Sequence, residues 1–155
     1  MFKKYLIIFL VSMVPVVELR GAIPIATGLG VPLNVSYVIA VIGNMIPVPF
    51  IYLFARKILE WGKDKKYIGK IFTFCLVKGE AGGKKLMEKA GRGTFIALLL
   101  FVAIPLPGTG AWTGTLAASI LNMGFKKSVI AVMLGVLVAG LIMGLISTGV
   151  FKIIT

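Results

Sequence analysis

Apolar residues run along this chain in uncharged blocks, interrupted at two places by polar and turn-forming residues. Tyr5 to Val17 is such a block of 13 residues, about 20 Å of helix against a hydrocarbon core of about 30 Å. It predicts a helix that stops midway through a bilayer. The block ends at Glu18-Leu19-Arg20-Gly21-Ala22-Ile23-Pro24, where Gly21 and Pro24 predict a break. Ile25 to Leu33 carries Gly28, Gly30 and Pro32, which limits it to a short return helix. Asn34 is the expected N-cap of a full span from Val35 to Phe54, bent at Pro47 and Pro49.

The pattern changes between Arg56 and Arg92. Tyr67, Ile68, Ile71, Phe72, Cys75 and Leu76 recur at roughly helical spacing among Lys63, Lys65, Lys66 and Lys70, which predicts an amphipathic helix in the interface plane over Trp61 to Val77. Gly79, Gly82 and Gly83 should end it, and Lys84 to Ala90 predicts one further short helix. Gly93 to Phe125 is again apolar, 33 residues without a charge, too long for one ordinary span and too short for two with a turn. Inside it lies Pro105-Leu106-Pro107-Gly108-Thr109-Gly110-Ala111-Trp112-Thr113-Gly114. Irregular backbone cannot face lipid, so this loop must be buried in protein or line a wet cavity. Ser128 to Phe151 predicts a second full span, with Ala131, Gly135 and Ala139 as a small-residue stripe for close helix packing.

The two halves share one plan: short helix, Pro/Gly break, short return, long span. Pro15 and Pro105 lie 90 residues apart, and Val38-Ile39-Ala40-Val41 recurs as Val129-Ile130-Ala131-Val132, 91 residues on. The predicted fold is an all-α integral membrane protein with an inverted repeat, each half a re-entrant helical hairpin plus one full transmembrane helix. Half A is 1–57, a cytoplasmic amphipathic connector is 58–92, and half B is 93–155.

Composition agrees. In 155 residues, 59% hydrophobic content, 14% charged content and a mean hydropathy of +1.04 exclude a soluble domain. The net charge of +12 raises nucleic acid as a partner, but eleven of the seventeen basic residues fall between Arg56 and Arg92, beside membrane segments. That placement predicts a multi-pass protein of the cell membrane with this loop in the cytoplasm, both termini outside, and no nucleic acid partner. Lys3 and Lys4 before an apolar run are like a secretory signal, yet no small-x-small cleavage pattern follows Val17. With no His, a single Cys75 and no nucleophile beside a base, the sequence predicts no disulfide, metal, cofactor or catalysis.

The candidate chemistry therefore rests on few residues. A charge at bilayer depth costs about 2.5 to 3.5 kcal/mol, so Glu18 and Arg20 are candidates for a transport site, or else for a structural ion pair. Asn44 falls near their depth, either in an interhelical hydrogen bond or in substrate contact.

At the two interrupted loops the sequence resembles the small multidrug export proteins, through Glu18-Leu-Arg-Gly-Ala-Ile-Pro24 and Phe101-Val-Ala-Ile-Pro-Leu-Pro-Gly-Thr-Gly-Ala-Trp-Thr-Gly114. More distantly it is similar to the DedA (VTT-domain) superfamily, whose members carry two facing re-entrant hairpins and are implicated in moving lipids, including polyprenyl phosphate carriers. Glu18 matches the first-loop acid of that pattern, whereas Phe101 and Thr109 to Ala111 stand where DedA proteins carry arginines. The resemblance implies a transporter or flippase that moves an anionic lipid carrier through a midplane site formed by Glu18, Arg20, Asn44, Pro105, Pro107, Thr109, Trp112 and Thr113. The alternative is proton-coupled export of cationic amphiphiles, and a third reading is a non-transporting assembly factor. Expected partners are membrane lipids, the amphiphilic substrate and a second copy of the chain in a homodimer or larger assembly, joined through the Ala131 stripe.

Overall fold

The computed structural model describes residues 1–15, 17–74, 76–77, 81, 88, 91, 93–106 and 109–154. Among them the chain is all-helical: α1 (Phe2–Met13), α2 (Glu18–Gly28), α3 (Leu33–Met45), α4 (Pro47–Gly62), α5 (69–74), α6 (Gly93–Ala103), α7 (Ala111–Ile120) and α8 (Phe125–Ile154). The expected glycine break after α5, Cys75, most of the expected helix at Lys84 to Ala90, and Pro107 lie outside the described residues.

Two elements are long and apolar enough to cross a membrane. α3 and α4 run on through Ile46, which is itself helical, so that Leu33–Gly62 forms one stretch of 30 residues, and α8 contributes Phe125–Gly149 with 25. Pro47 opens α4 instead of ending the span, because a proline in the first turn gives up an N–H that it need not use. The span also begins earlier than expected. Pro32 is the N-cap of α3 with no side-chain cap, Ser36 within the helix donates its hydroxyl back to the Pro32 carbonyl at 2.9 Å, and Asn34 is exposed.

The interruptions also fall differently. α1 ends where Val14 turns extended (φ −71°, ψ 130°) ahead of Pro15, and α2 already begins at Glu18. Pro24 is therefore inside a helix, where it leaves the Arg20 carbonyl without its helical donor. α1 and α2 have 12 and 11 residues, about 18 and 16 Å. They form a hairpin, since Lys4 near the start of α1 donates to the Leu29 carbonyl just past the end of α2, at 2.6 Å. In the second half α7 takes in Trp112, Thr113 and Gly114, leaving 104–106 and 109–110 as the described loop residues.

The halves match closely in their caps. α2 ends in left-handed Gly30 (φ 71°), with Gly30 N–H on the Thr27 carbonyl and Val31 N–H on the Ala26 carbonyl, both at 3.0 Å. α7 ends the same way in Asn122 (φ 54°), donating to Ser119 at 3.1 Å, with Met123 donating to Ala118 at 3.0 Å. Asparagine is one of the few side chains that tolerate this conformation. Gly30 and Asn122 are 92 positions apart, as are the starts of α3 and α8 and the pair Gly43 and Gly135. The Val38 and Val129 tetrapeptides, 91 apart, are therefore one residue out of register with the structure, and their identity reflects only the narrow apolar alphabet.

Packing is reciprocal too. α1, α2 and α3 pack together, α6, α7 and α8 pack together, and between the halves α2 lies on α8 while α7 lies on α4. The core gathers Ile23 and Ala26 of α2, Val102 of α6, Ala118 of α7 and Val132 and Val136 of α8, all at most 1% exposed. Gly43 and Gly135 each admit close approach, of Phe9 and Ser12 on α1 and of Leu99 and Val102 on α6 respectively. This corrects the expectation for the stripe: Ala131 and Ala139 are buried within the protomer and Gly135 faces α6, so the stripe is an internal contact. Small residues license close packing without saying which helix will use it. Gly135→Leu should accordingly destabilise the fold by about 1 to 3 kcal/mol through overpacking. A lowered melting temperature in detergent with the mass of the particle unchanged from wild type is the expected result, and an intact fold with an altered mass would overturn it.

Candidate functional site

The tips of the two hairpins meet, and the chemistry there is set by unfinished helix ends. α7 starts from Gly110, whose φ of 137° admits no ordinary side chain and which offers none to cap the first N–H groups. Glu18 supplies the cap from the other hairpin. One carboxylate oxygen accepts the Ala111 N–H at 3.2 Å and the other accepts the Trp112 N–H at 2.9 Å. A carboxylate at a helix N-terminus is also favoured by the helix dipole. Glu18 is 3% exposed, and a Cβ on Gly110 would overlap its carboxylate, so the glycine is required by conformation and by space.

Arg20 does the complementary task at the other end of the loop. Its Nη2 donates to the carbonyls of Val102 at 3.0 Å and Ile104 at 3.1 Å, and its Nη1 to those of Leu106 at 2.9 Å and Thr109. These carbonyls end α6 and continue into the loop, where a helix has no donors of its own. Thr109 turns its hydroxyl onto the same loop, donating to Ile104 at 2.9 Å and Leu106 at 2.8 Å. The strap is returned by Trp112, whose indole N–H donates to the Met13 carbonyl at the end of α1, at 3.1 Å. Arg20 and Trp112 are 92 positions apart. Each half thus finishes the first helix of the other with a side-chain N–H from the start of its own return helix.

Glu18 and Arg20 are therefore not each other's partners. Among the described residues the ion pair within 4 Å is Arg56 with Glu60, at 3.0 Å. Their separation by two positions already argued against a shared helical face. What they share is a task, the completion of the second hairpin.

Of the residues singled out from sequence, hydrogen bonds join Glu18, Arg20, Thr109 and Trp112. Pro105 sits half-buried between Ile104 and Leu106, whose carbonyls Arg20 holds. Thr113 is exposed and faces a groove instead of the straps. Asn44 is 1% exposed on α3, and among the described residues its Oδ1 has no hydrogen-bond partner and no hydrogen bond ties it to the tips. No group of three or more His, Cys, Asp or Glu able to hold a metal occurs among the described residues.

Beside the tips, between α4 and α7, lies an open groove of about 560 Å³. Its walls include Pro15, Phe50, Phe54, Ile58, Trp112 and Thr113. Apart from Thr113 and the indole N–H, already committed to Met13, these walls present carbon. Apart from Trp112 and Thr113, the groove residues were not among the expected site residues, and neither was Gly110. Gly110 carried a signal, as a glycine just ahead of a helix; the other groove residues carried none, being apolar positions in an apolar chain.

No match is found among curated proteins or among solved structures. A protein-family comparison does match, over residues 18–142, to the family described as "Putative small multi-drug export protein". The matched region starts at Glu18 and takes in the second tip, every groove residue but Pro15 and most of α8, well over half of the chain. On that match, this chain belongs to the small multi-drug export protein family.

Proposed function

We propose that this protein is a membrane exporter of small amphiphilic molecules, which enter the apolar groove between α4 and α7 and are passed across when the hairpin latch opens. The observation that carries this reading is the position of the groove: it shares Trp112 with the latch, so an occupant touches the residue that straps α7 to α1. The carbon walls suit the body of an amphiphile. Two candidate spans and an export family make a membrane setting the natural one. α1–α2 and α6–α7 are in this reading re-entrant hairpins entering from opposite leaflets, supported by helices of about 15 to 18 Å and by the reciprocal straps.

Glu18 provides a means of coupling to protons. Ionised, it offers acceptors to both N–H groups; protonated, one oxygen becomes a donor facing donors, and the cap on α7 is weakened. Binding of a proton would thus favour separated tips. Export of a phosphate lipid is less well supported, because Arg20 already gives its two terminal nitrogens to four carbonyls and an anionic head would have to displace them.

The test uses purified protein with Trp61→Phe, which leaves Trp112 as the remaining tryptophan. A lipophilic aromatic cation should quench Trp112 emission saturably. Phe54→Ala should weaken that binding about tenfold, in line with about 1.5 to 3 kcal/mol for burying a phenylalanine side chain. In proteoliposomes Glu18→Gln should flatten the pH dependence of cation efflux. Unsaturable quenching, or equal affinity in the Phe54 variant, rules out the groove as the binding site.

A further inference from the structure

We propose that the corner between α4 and α5 is a binding site for the headgroups of anionic phospholipids. This is independent of the transport reading. The corner is tightly built: Lys65 N–H donates to the Gly62 carbonyl at 3.0 Å and Gly69 N–H to the Lys65 carbonyl at 2.8 Å. The Phe72 ring occupies the space that a Cβ on Gly62 would fill, and a Cβ on Gly69 would overlap the Lys63 carbonyl. These two close approaches fold the lysines of the turn back towards Lys70 on α5.

The result is a cavity of about 540 Å³ whose lining includes Lys63, Lys65, Lys66 and Lys70 against one acid, Asp64. Four ammonium groups around one carboxylate leave a surplus of positive charge suited to phosphate oxygens. Phe74 and Val77 of its lining are each 60% or more exposed, and beside it Tyr67 is 89% and Ile71 62% exposed, an apolar surface that no described residue covers. Lys65 Nζ lies 4.3 Å from the centre of the Trp61 ring, itself exposed at the end of α4. Lysines over a pocket beside exposed aromatic and aliphatic groups match the two layers of a membrane interface, phosphate above and acyl carbon below. A free phosphate would satisfy the lysines and leave the apolar surface bare. A lipid covers both.

The readout is Trp61, the remaining tryptophan once Trp112 is replaced by phenylalanine. Full-length Trp112→Phe protein in zwitterionic nanodiscs is given increasing brominated phosphatidylglycerol or brominated phosphatidylcholine. Each basic residue near an anionic surface changes partition by a factor of about five, so half-quenching by the anionic lipid should need at least about tenfold less. Replacing Lys63, Lys65, Lys66 and Lys70 by glutamine, singly and then together, should abolish the preference stepwise. Glutamine at Lys3, Lys4, Lys126 and Lys127, the same change in net charge placed elsewhere, should keep it. Equal quenching by the two lipids overturns the proposal, as does equal loss in both sets of variants. Reversal of the quenching by soluble inorganic phosphate also overturns it, in favour of a phosphate site.

Discussion

Glu18→Leu should cost the protein about 2 to 6 kcal/mol, the penalty for stranding one buried and one part-buried N–H donor at about 1 to 3 kcal/mol each. The donors are those of Ala111 and Trp112, and no other acceptor in the described residues bonds them. Glu18→Gln keeps one acceptor oxygen, turns an amide NH2 towards the other N–H group, and gives up the charge at the helix N-terminus, worth about 0.3 to 1 kcal/mol at exposed sites and up to about 2 when partly buried. Thermal unfolding in detergent should therefore rank wild type, then glutamine, then leucine. A leucine variant as stable as wild type would show the cap to be idle. The same geometry settles how a double variant behaves. Were Glu18 and Arg20 an isolated ion pair, removing both would relieve the damage of removing one. Here each serves separate backbone groups, so Glu18→Gln with Arg20→Met should be worse than either alone.

Gly110→Ala should come next in severity. Its left-handed φ costs a side chain about 1 to 3 kcal/mol, and the new Cβ must also displace the Glu18 carboxylate from the two N–H groups it caps. A loss of about 2 to 6 kcal/mol is expected, again read from thermal unfolding. Gly30→Asn is the control, since asparagine already occupies the corresponding position at Asn122 and nothing lies within 4 Å of a Cβ at Gly30. It should change stability by no more than about 0.5 kcal/mol. If the two substitutions cost the same, backbone conformation alone matters and the contact with Glu18 does not.

The outline of this molecule was legible because charge, proline and glycine stand out in an apolar chain. Glu18, Arg20 and the Pro105 loop marked both tips, and the lengths of the apolar blocks separated short helices from long. The boundaries were less legible. Pro24 and Gly21 argue locally for a break, yet α2 runs through both, because tertiary contacts with α1, α3 and α8 hold it. The partners of Glu18 and Arg20 were hidden for a different reason: they are backbone N–H and C=O groups, which every residue carries and no side chain advertises. The groove was hidden because Phe50, Phe54 and Ile58 have the same character whether they meet lipid, protein or a ligand.

The reciprocal straps also bear on how the protein is made. The Trp112 N–H that Glu18 caps is 94 residues downstream, a gap of on the order of 5 to 20 s at a synthesis rate of about 5 to 20 residues per second. During that interval the first hairpin carries a carboxylate without the N–H groups it caps, a guanidinium without its carbonyls and an α1 whose Met13 carbonyl lacks the Trp112 donor. It cannot take up its final place alone. These contacts of the first half of the chain form only when the second half arrives to complete them.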